Sequence, residues 1–103
     1  MKENSYYLYD LVEGYYGSSY KLDFYLLRKS RNFNIMKDLF DSYKIRENLS
    51  GLKSKLFFVK AKSSFEAKQT ILSSMNIDLP KHFEGEIIGV RWLQNIVKCV
   101  EKK

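Results

Sequence analysis

Residues 55–75 read KLFFVKAKSSFEAKQTILSSM and join a buried strand to an amphipathic helix with almost no loop between them. The apolar run from Leu56 to Val59 is too short for a free-standing helix and is rich in aromatic and β-branched residues, so it predicts a strand. Ser63 stands three residues before Glu66, and this capping-box spacing predicts the start of a helix. A strand that turns directly into a helix needs further strands beside it and a core beneath it.

The rest of the chain supplies these elements. Apolar alternation and β-branched runs predict further strands over residues 6–12, 20–28, 86–93 and 96–100. Apolar residues at three-and-four spacing predict a first helix that ends near Asn48. The glycine-bearing residues 13–19 predict a hairpin with a long, tyrosine-bearing tip, and Trp92 is expected to be buried.

We therefore expect an α+β fold built as a two-layer sandwich. A mostly antiparallel sheet of four to five strands carries two helices on one face. The order of elements is β-β-α-β-α-β, and the run near the C-terminus adds a short fifth strand or a helical turn.

Chain length and composition limit the classes to which the protein can belong. The chain has 103 residues, of which 45% are apolar and 29% charged, and this predicts one compact domain over residues 1–103. No apolar run approaches the roughly 20 residues of a bilayer span, and the N-terminal residues lack the apolar region of a signal peptide. The single cysteine, Cys99, cannot form an internal disulfide, so we expect a cytoplasmic protein without membrane association.

Catalytic chemistry finds little support in the sequence. One His and one Cys are too few for a zinc site of the usual type, and Gly14 and Gly17 lack the further residues of a phosphate-binding loop. A catalytic triad would have to use His82, and Glu84 and Glu86 would share a face as a carboxylate pair if their segment is extended. Solvated, exposed side chains are the simpler interpretation of all three. We expect a non-enzymatic protein without metal or cofactor.

Basic residues are concentrated in one segment of the chain. Residues 28–62 hold ten Lys and Arg against three acidic residues and carry +7, while the remaining residues sum to −1 and the whole chain carries +6. This distribution indicates an electropositive surface for phosphates or for an acidic protein, although scattered lysines without a function explain it equally well. The residues predicted to bind phosphate or an acidic surface are Arg28, Lys29, Arg31, Lys53, Lys55, Lys60 and Lys62.

Tyrosine is the second unusual feature, because seven of the eight tyrosines lie in the first 25 residues. Consecutive tyrosines in a strand point to opposite faces, so some of them are expected to be exposed. Exposed tyrosine is enriched in protein interfaces, while the alternative interpretation is its preference for strands. The residues predicted to bind a protein are Tyr6, Tyr7, Tyr9, Tyr15, Tyr16 and Tyr25.

Two functions from different classes are consistent with these features. The first is a small inhibitor or adaptor that docks on a host protein or nucleoprotein complex with its tyrosine-rich hairpin. Its small size and lack of catalytic groups are similar in character to accessory and counter-defence proteins of phages and mobile elements, although no motif identifies a family. The second is a nucleic-acid-binding domain that uses basic residues in the range 28–62 but lacks the signatures of the common motifs. We favour the first.

Overall fold

Five strands and two helices follow one another in the computed structural model, which describes residues 3–44, 53–75, 85–92 and 95–99. The strands are β1 (Ser5–Tyr16), β2 (Ser19–Ser30), β3 (Lys53–Ala61), β4 (Glu86–Trp92) and β5 (Asn95–Cys99). The helices are α1 (Phe33–Ser42) and α2 (Ser64–Met75). The strands form one antiparallel sheet in the order β2-β1-β3-β4-β5. The predicted α+β class, antiparallel sheet, order of elements and fifth strand are confirmed.

The hairpin of β1 and β2 is longer than predicted. The two strands stay paired from Tyr6 opposite Ser30 to Tyr16 opposite Ser19, so the loop holds only two residues. Gly17 occupies the first loop position with a φ of +66°, a conformation that favours glycine in two-residue hairpin loops. The prediction of a long tip over residues 13–19 is wrong, because most of these residues belong to the strands.

The two helices lie on opposite faces of the sheet, which corrects the prediction of two layers with both helices on one face. One core cluster lies between the sheet and α2 and consists of Tyr7, Tyr9, Leu11, Phe57, Val59, Ala61, Ala67 and Ile71. The other cluster lies between the sheet and α1 and consists of Leu8, Met36, Phe40, Leu56, Phe58 and Ile88. Because successive strand side chains point to opposite faces, the clusters define an α1 face and an α2 face.

Helix α1 ends earlier than the predicted end near Asn48. Its last residue is Ser42, and Tyr43 follows with an extended backbone. Arg91 of β4 donates from Nη1 to the backbone oxygens of Phe40 and Tyr43, at 3.0 Å for Tyr43. Carbonyl groups in the last turn of a helix have no partner within it, and a cation is favourable there. Arg91 therefore fixes the end of α1 on the sheet.

Helix α2 begins with the predicted capping residues. The Oγ atom of Ser63 accepts a hydrogen bond from the Glu66 N–H at 3.1 Å, and the Glu66 carboxylate accepts one from the Lys62 N–H at 2.9 Å. The first bond satisfies a donor that the helix itself leaves without a partner, and the second ties the residue before the cap to the first turn. Ala61 ends β3 two residues before Ser63, so α2 starts directly at the end of that strand.

Candidate protein-binding surface and basic groove

Two of the predicted tyrosines belong to the core. Tyr7 and Tyr9 are each 1% exposed and lie in the cluster that contains α2, with ring centroids 6.2 Å apart. Burial raises the pKa of the Tyr9 phenol, while a hydrogen bond with Ser64 partly opposes that shift. Because α2 covers their face, these two side chains are not exposed to a partner in this structure. Tyr6 is half-buried on the α1 face, 5.8 Å from the Phe58 ring centroid.

The exposed aromatic side chains are concentrated in the hairpin. Tyr15 and Tyr25, both predicted as protein-binding residues, are 66% and 52% exposed. Tyr20 and Leu26 are exposed as well, although the sequence did not single them out as contact residues. The hairpin thus holds four of the seven exposed large hydrophobic residues in the described part of the chain. The side chain of the predicted Tyr16 lies outside the described part.

A row of side-chain contacts crosses four strands on the α2 face near the hairpin turn. Lys55 Nζ lies 3.1 Å from Glu13 Oε1 and 4.7 Å from the ring centroid of Trp92. The Tyr20 hydroxyl donates to Glu13 Oε2 at 2.7 Å, and this bond raises the pKa of Tyr20. The rings of Tyr15 and Tyr20 meet edge to face at 5.4 Å. We call these five residues the aromatic row.

The aromatic row remains open to solvent because α2 packs on β3 and β4 closer to the other end of the sheet. Trp92, which was expected to be buried, is 41% exposed. Lys55, which was predicted to bind phosphate or an acidic surface, is instead largely buried beside Glu13. The row therefore presents exposed aromatic side chains, and the positive charge of its lysine, Lys55, is neutralised by Glu13.

Strand β2 forms one edge of the sheet. It pairs with β1, and no strand among the described residues pairs with its other side. At 12 residues it is about twice the usual strand length, and it carries the exposed Tyr20, Tyr25 and Leu26. A bulge at Leu27 leaves residues 19–26 as a regular stretch. Such an edge directs backbone N–H and C=O groups outward and is a template for pairing.

The predicted basic residues do not form one patch. Arg28 pairs with Leu8 in register and, like Lys60, belongs to the α1 face. Lys29 pairs with Tyr7 on the α2 face, where its ammonium group lies 5.6 Å from the Tyr7 ring centroid. Arg28 and Lys29, which are neighbours in the sequence, therefore lie on opposite faces of the sheet. The side chain of another predicted residue, Lys53, lies outside the described part.

Three of the predicted basic residues line one groove at the end of β1 and β2 that is remote from the hairpin turn. The groove has a volume of about 490 Å³, and its lining includes Lys29, Arg31, Lys62, Ser63, Ser64 and Glu3. Arg31 and Glu3 form an ion pair at 3.7 Å in which both side chains are largely exposed, so it contributes little to stability. We call this site the basic groove.

The basic groove and the aromatic row lie at opposite ends of β1. Tyr7 contributes to the groove wall and Tyr15 belongs to the row. Eight strand residues span roughly 26 Å at about 3.3 Å per residue. A small ligand cannot contact both sites, whereas a partner protein can.

The described residues show no other arrangement with evident chemistry. Within these ranges no three His, Cys, Asp or Glu side chains are grouped to hold a metal ion. His82 and Glu84, the residues considered for catalysis, lie outside the described part, while Glu86 begins β4. Neither α1 nor α2 is long and apolar enough to cross a membrane.

Comparison with known proteins does not assign a family to this chain. A scan of protein-family models, a search of curated proteins and a search of solved structures each find no match. The aromatic row, the outer edge of β2 and the basic groove are therefore the features on which a functional proposal rests.

Proposed function

We propose that this chain is a non-enzymatic binding protein, an inhibitor or adaptor, that docks on a host protein through the outer edge of β2 and the adjoining aromatic row. The observation that carries this proposal is the 12-residue edge strand with three exposed large apolar side chains. An extended segment of the partner pairs with the backbone of β2 as an added strand. Main-chain hydrogen bonds then supply affinity, and side chains on both faces supply specificity.

The side chains of β2 define the chemistry of the partner segment. Tyr20 and Leu26 border the edge on the α2 face, and Tyr25 borders it on the α1 face, so apolar partner residues bury area on either side. Arg28 and Lys29 follow on opposite faces. An acidic partner residue at that end is therefore complementary in charge whichever face it takes. The proposed occupant is an extended segment that is apolar near residues 20–26 and acidic near residues 28–29.

The aromatic row supports the same surface by holding its side chains in place. Glu13 accepts the hydroxyl hydrogen bond of Tyr20, and Lys55 lies between Glu13 and Trp92. Side chains that are already ordered lose less conformational freedom on association. Tyr and Trp in such positions are the residue types that dominate binding energy in interfaces.

Affinity capture with matched variants tests the proposal. The tagged full chain is incubated with host lysate, with and without nuclease treatment, and recovered proteins are quantified by mass spectrometry. The variants are Tyr20→Ala and Tyr25→Ala on β2, with Phe65→Ala as the control because Phe65 is an exposed aromatic residue on α2. We expect a stoichiometric protein partner whose dissociation accelerates about tenfold in each β2 variant and is unchanged in the control.

Three outcomes would overturn the proposal. Equal losses in the control and in the β2 variants would remove the edge from the interface. Partners that disappear with nuclease would favour nucleic-acid binding, the second function considered from the sequence. A concentration-dependent dimer in sedimentation experiments, abolished by Tyr25→Ala, would make a second copy of the chain the occupant of the edge.

A further inference from the structure

We infer that the basic groove binds the phosphate group of a small-molecule phosphate monoester. This site is separate from the outer edge of β2 and does not depend on the proposed protein partner. Three positive side chains, two serine residues and the beginning of α2 surround the same concave space. The inference rests on how the fold brings these groups together.

The cations of the groove come from distant parts of the chain. Lys29 lies near the end of β2, Arg31 follows that strand, and Lys62 lies between β3 and α2. Positive charges around a cleft focus the electrostatic potential and concentrate anions in it. A guanidinium group matches the geometry of phosphate oxygens, while an ammonium group acts as a point charge. The groove thus combines both modes of phosphate recognition.

Helix α2 adds a polar wall to the groove. Ser63 caps this 12-residue helix and Ser64 is its first residue, and both contribute to the lining. The Ser64 hydroxyl is hydrogen-bonded to Tyr9, so the Ser63 hydroxyl is the side-chain donor for phosphate oxygens on this wall, and the partial positive charge at a helix N-terminus favours an anion. These groups supplement the three cations.

The distribution of charge favours a single phosphate group over a nucleic-acid strand. A strand needs a continuous basic track, but in the described part of the chain Arg28 and Lys60 lie on the α1 face and Lys55 is paired with Glu13. The groove volume of about 490 Å³ falls within the roughly 300–1,000 Å³ of small-molecule sites. A phosphate monoester with a polar carrier group fits this size and lining.

Glu3 is the acidic residue that lines the groove. Its substitution should strengthen phosphate binding, whereas substitution of a cation should weaken it. The Glu3 carboxylate lies 3.7 Å from Arg31, where it competes with a bound phosphate for the guanidinium group. Glu3→Gln removes this competition and the like-charge repulsion. The variant should therefore bind phosphate more tightly than the natural sequence does.

The experiment titrates inorganic phosphate and ribose 5-phosphate into the ¹⁵N-labelled full chain at constant ionic strength, with ribose as the control ligand. We expect saturable shifts of the Lys62, Ser63 and Ser64 amide signals with both phosphates and none with ribose. Arg31→Ala should weaken binding about fivefold. Arg28→Ala removes the same charge at the same end of β2 but on the opposite face, and it should leave the affinity unchanged.

Several results would overturn the inference. Equal weakening by Arg28→Ala and Arg31→Ala would show that net charge, and not the groove, attracts the ligand. Tight binding of an oligonucleotide whether or not it carries a 5′-phosphate would assign the groove to a nucleic-acid backbone. Binding of a phosphorylated peptide without binding of either small phosphate would assign it to a macromolecule. Absence of shifts at millimolar phosphate would remove the site altogether, while leaving the proposed protein docking untouched.

Discussion

The Nζ atom of Lys55 lies 3.1 Å from Oε1 of Glu13, and each side chain is less than one fifth exposed. This ion pair converts a lysine that the sequence marks as basic surface into a structural contact between β1 and β3. It also holds Lys55 over the ring of Trp92. The aromatic character of this surface therefore depends on the pairing of two charges within it.

Removal of one charge from this pair should destabilise the fold. Lys55→Met leaves the Glu13 carboxylate largely buried without its cation, so we expect the free energy of unfolding to fall by about 1–2 kcal/mol. Urea denaturation measures the change. The double variant Lys55→Met, Glu13→Gln should be more stable than the sum of the single losses predicts. Strict additivity would contradict the coupling between the two side chains.

The hydrogen bond from Tyr20 to Glu13 should be visible in a pH titration. It is the main cause of the raised pKa of Tyr20, so Glu13→Gln should lower that pKa toward the ordinary value of about 10. A raised pKa stabilises the folded protein below the unfolded pKa of about 10, and this contribution is lost as the pH rises through the folded pKa. NMR of ¹³C-labelled tyrosine follows the titration. An unchanged Tyr20 pKa in Glu13→Gln would argue against the bond.

Arg91 should stabilise the end of α1. Arg91→Met retains most of the apolar stem but removes the donor to the backbone oxygens of Phe40 and Tyr43. We expect a loss of about 1–3 kcal/mol, because these oxygens lose a charged partner. Chemical denaturation gives the magnitude, and hydrogen exchange should show faster opening in the last turn of α1. Arg28→Met serves as an exposed control, and an equal loss there would contradict the capping role.

Gly85 lies so close to α2 that no larger side chain should fit at this position. A Cβ atom at this position would lie 2.1 Å from Thr70 Oγ1, so Gly85→Ala forces the helix or the start of β4 to move. We expect a loss of about 1–3 kcal/mol in thermal or urea unfolding. Thr70→Ala removes the contacting hydroxyl, and the double variant should therefore recover part of the loss. Failure to recover any of it would place the strain elsewhere.

Local patterns were sufficient to predict most of the elements. The apolar run of β3 and the Ser63–Glu66 spacing specify a strand and a capped helix from neighbouring residues alone. The helices were predicted on one face of the sheet but lie on opposite faces, although Leu56–Val59 is apolar on both faces and such a strand needs cover on both sides. The end of α1 depends on Arg91, 48 residues beyond Tyr43, and no local pattern contains that contact.

The surfaces were less predictable for a related reason. Tyr7 and Tyr15 each belong to a Tyr-Tyr pair in β1, yet α2 covers one and leaves the other exposed. The separation of Arg28 from Lys29 follows from side-chain alternation, but only when β2 is known to continue to Ser30. The count of basic residues along the chain ignores this alternation. The groove emerges only when β2 and the junction of β3 with α2 are placed side by side.

Site-specific photo-crosslinking tests the proposed docking on β2 most directly. Benzoylphenylalanine replaces Tyr25 on the edge strand in one variant and Phe65 on α2 in the other, since both side chains are exposed, and each full chain is irradiated in host lysate. We predict one partner protein crosslinked in high yield from position 25, through an extended segment that carries apolar and acidic residues, with little crosslinking from position 65. Equal yields from both positions, or no crosslink from position 25, would contradict docking on this edge.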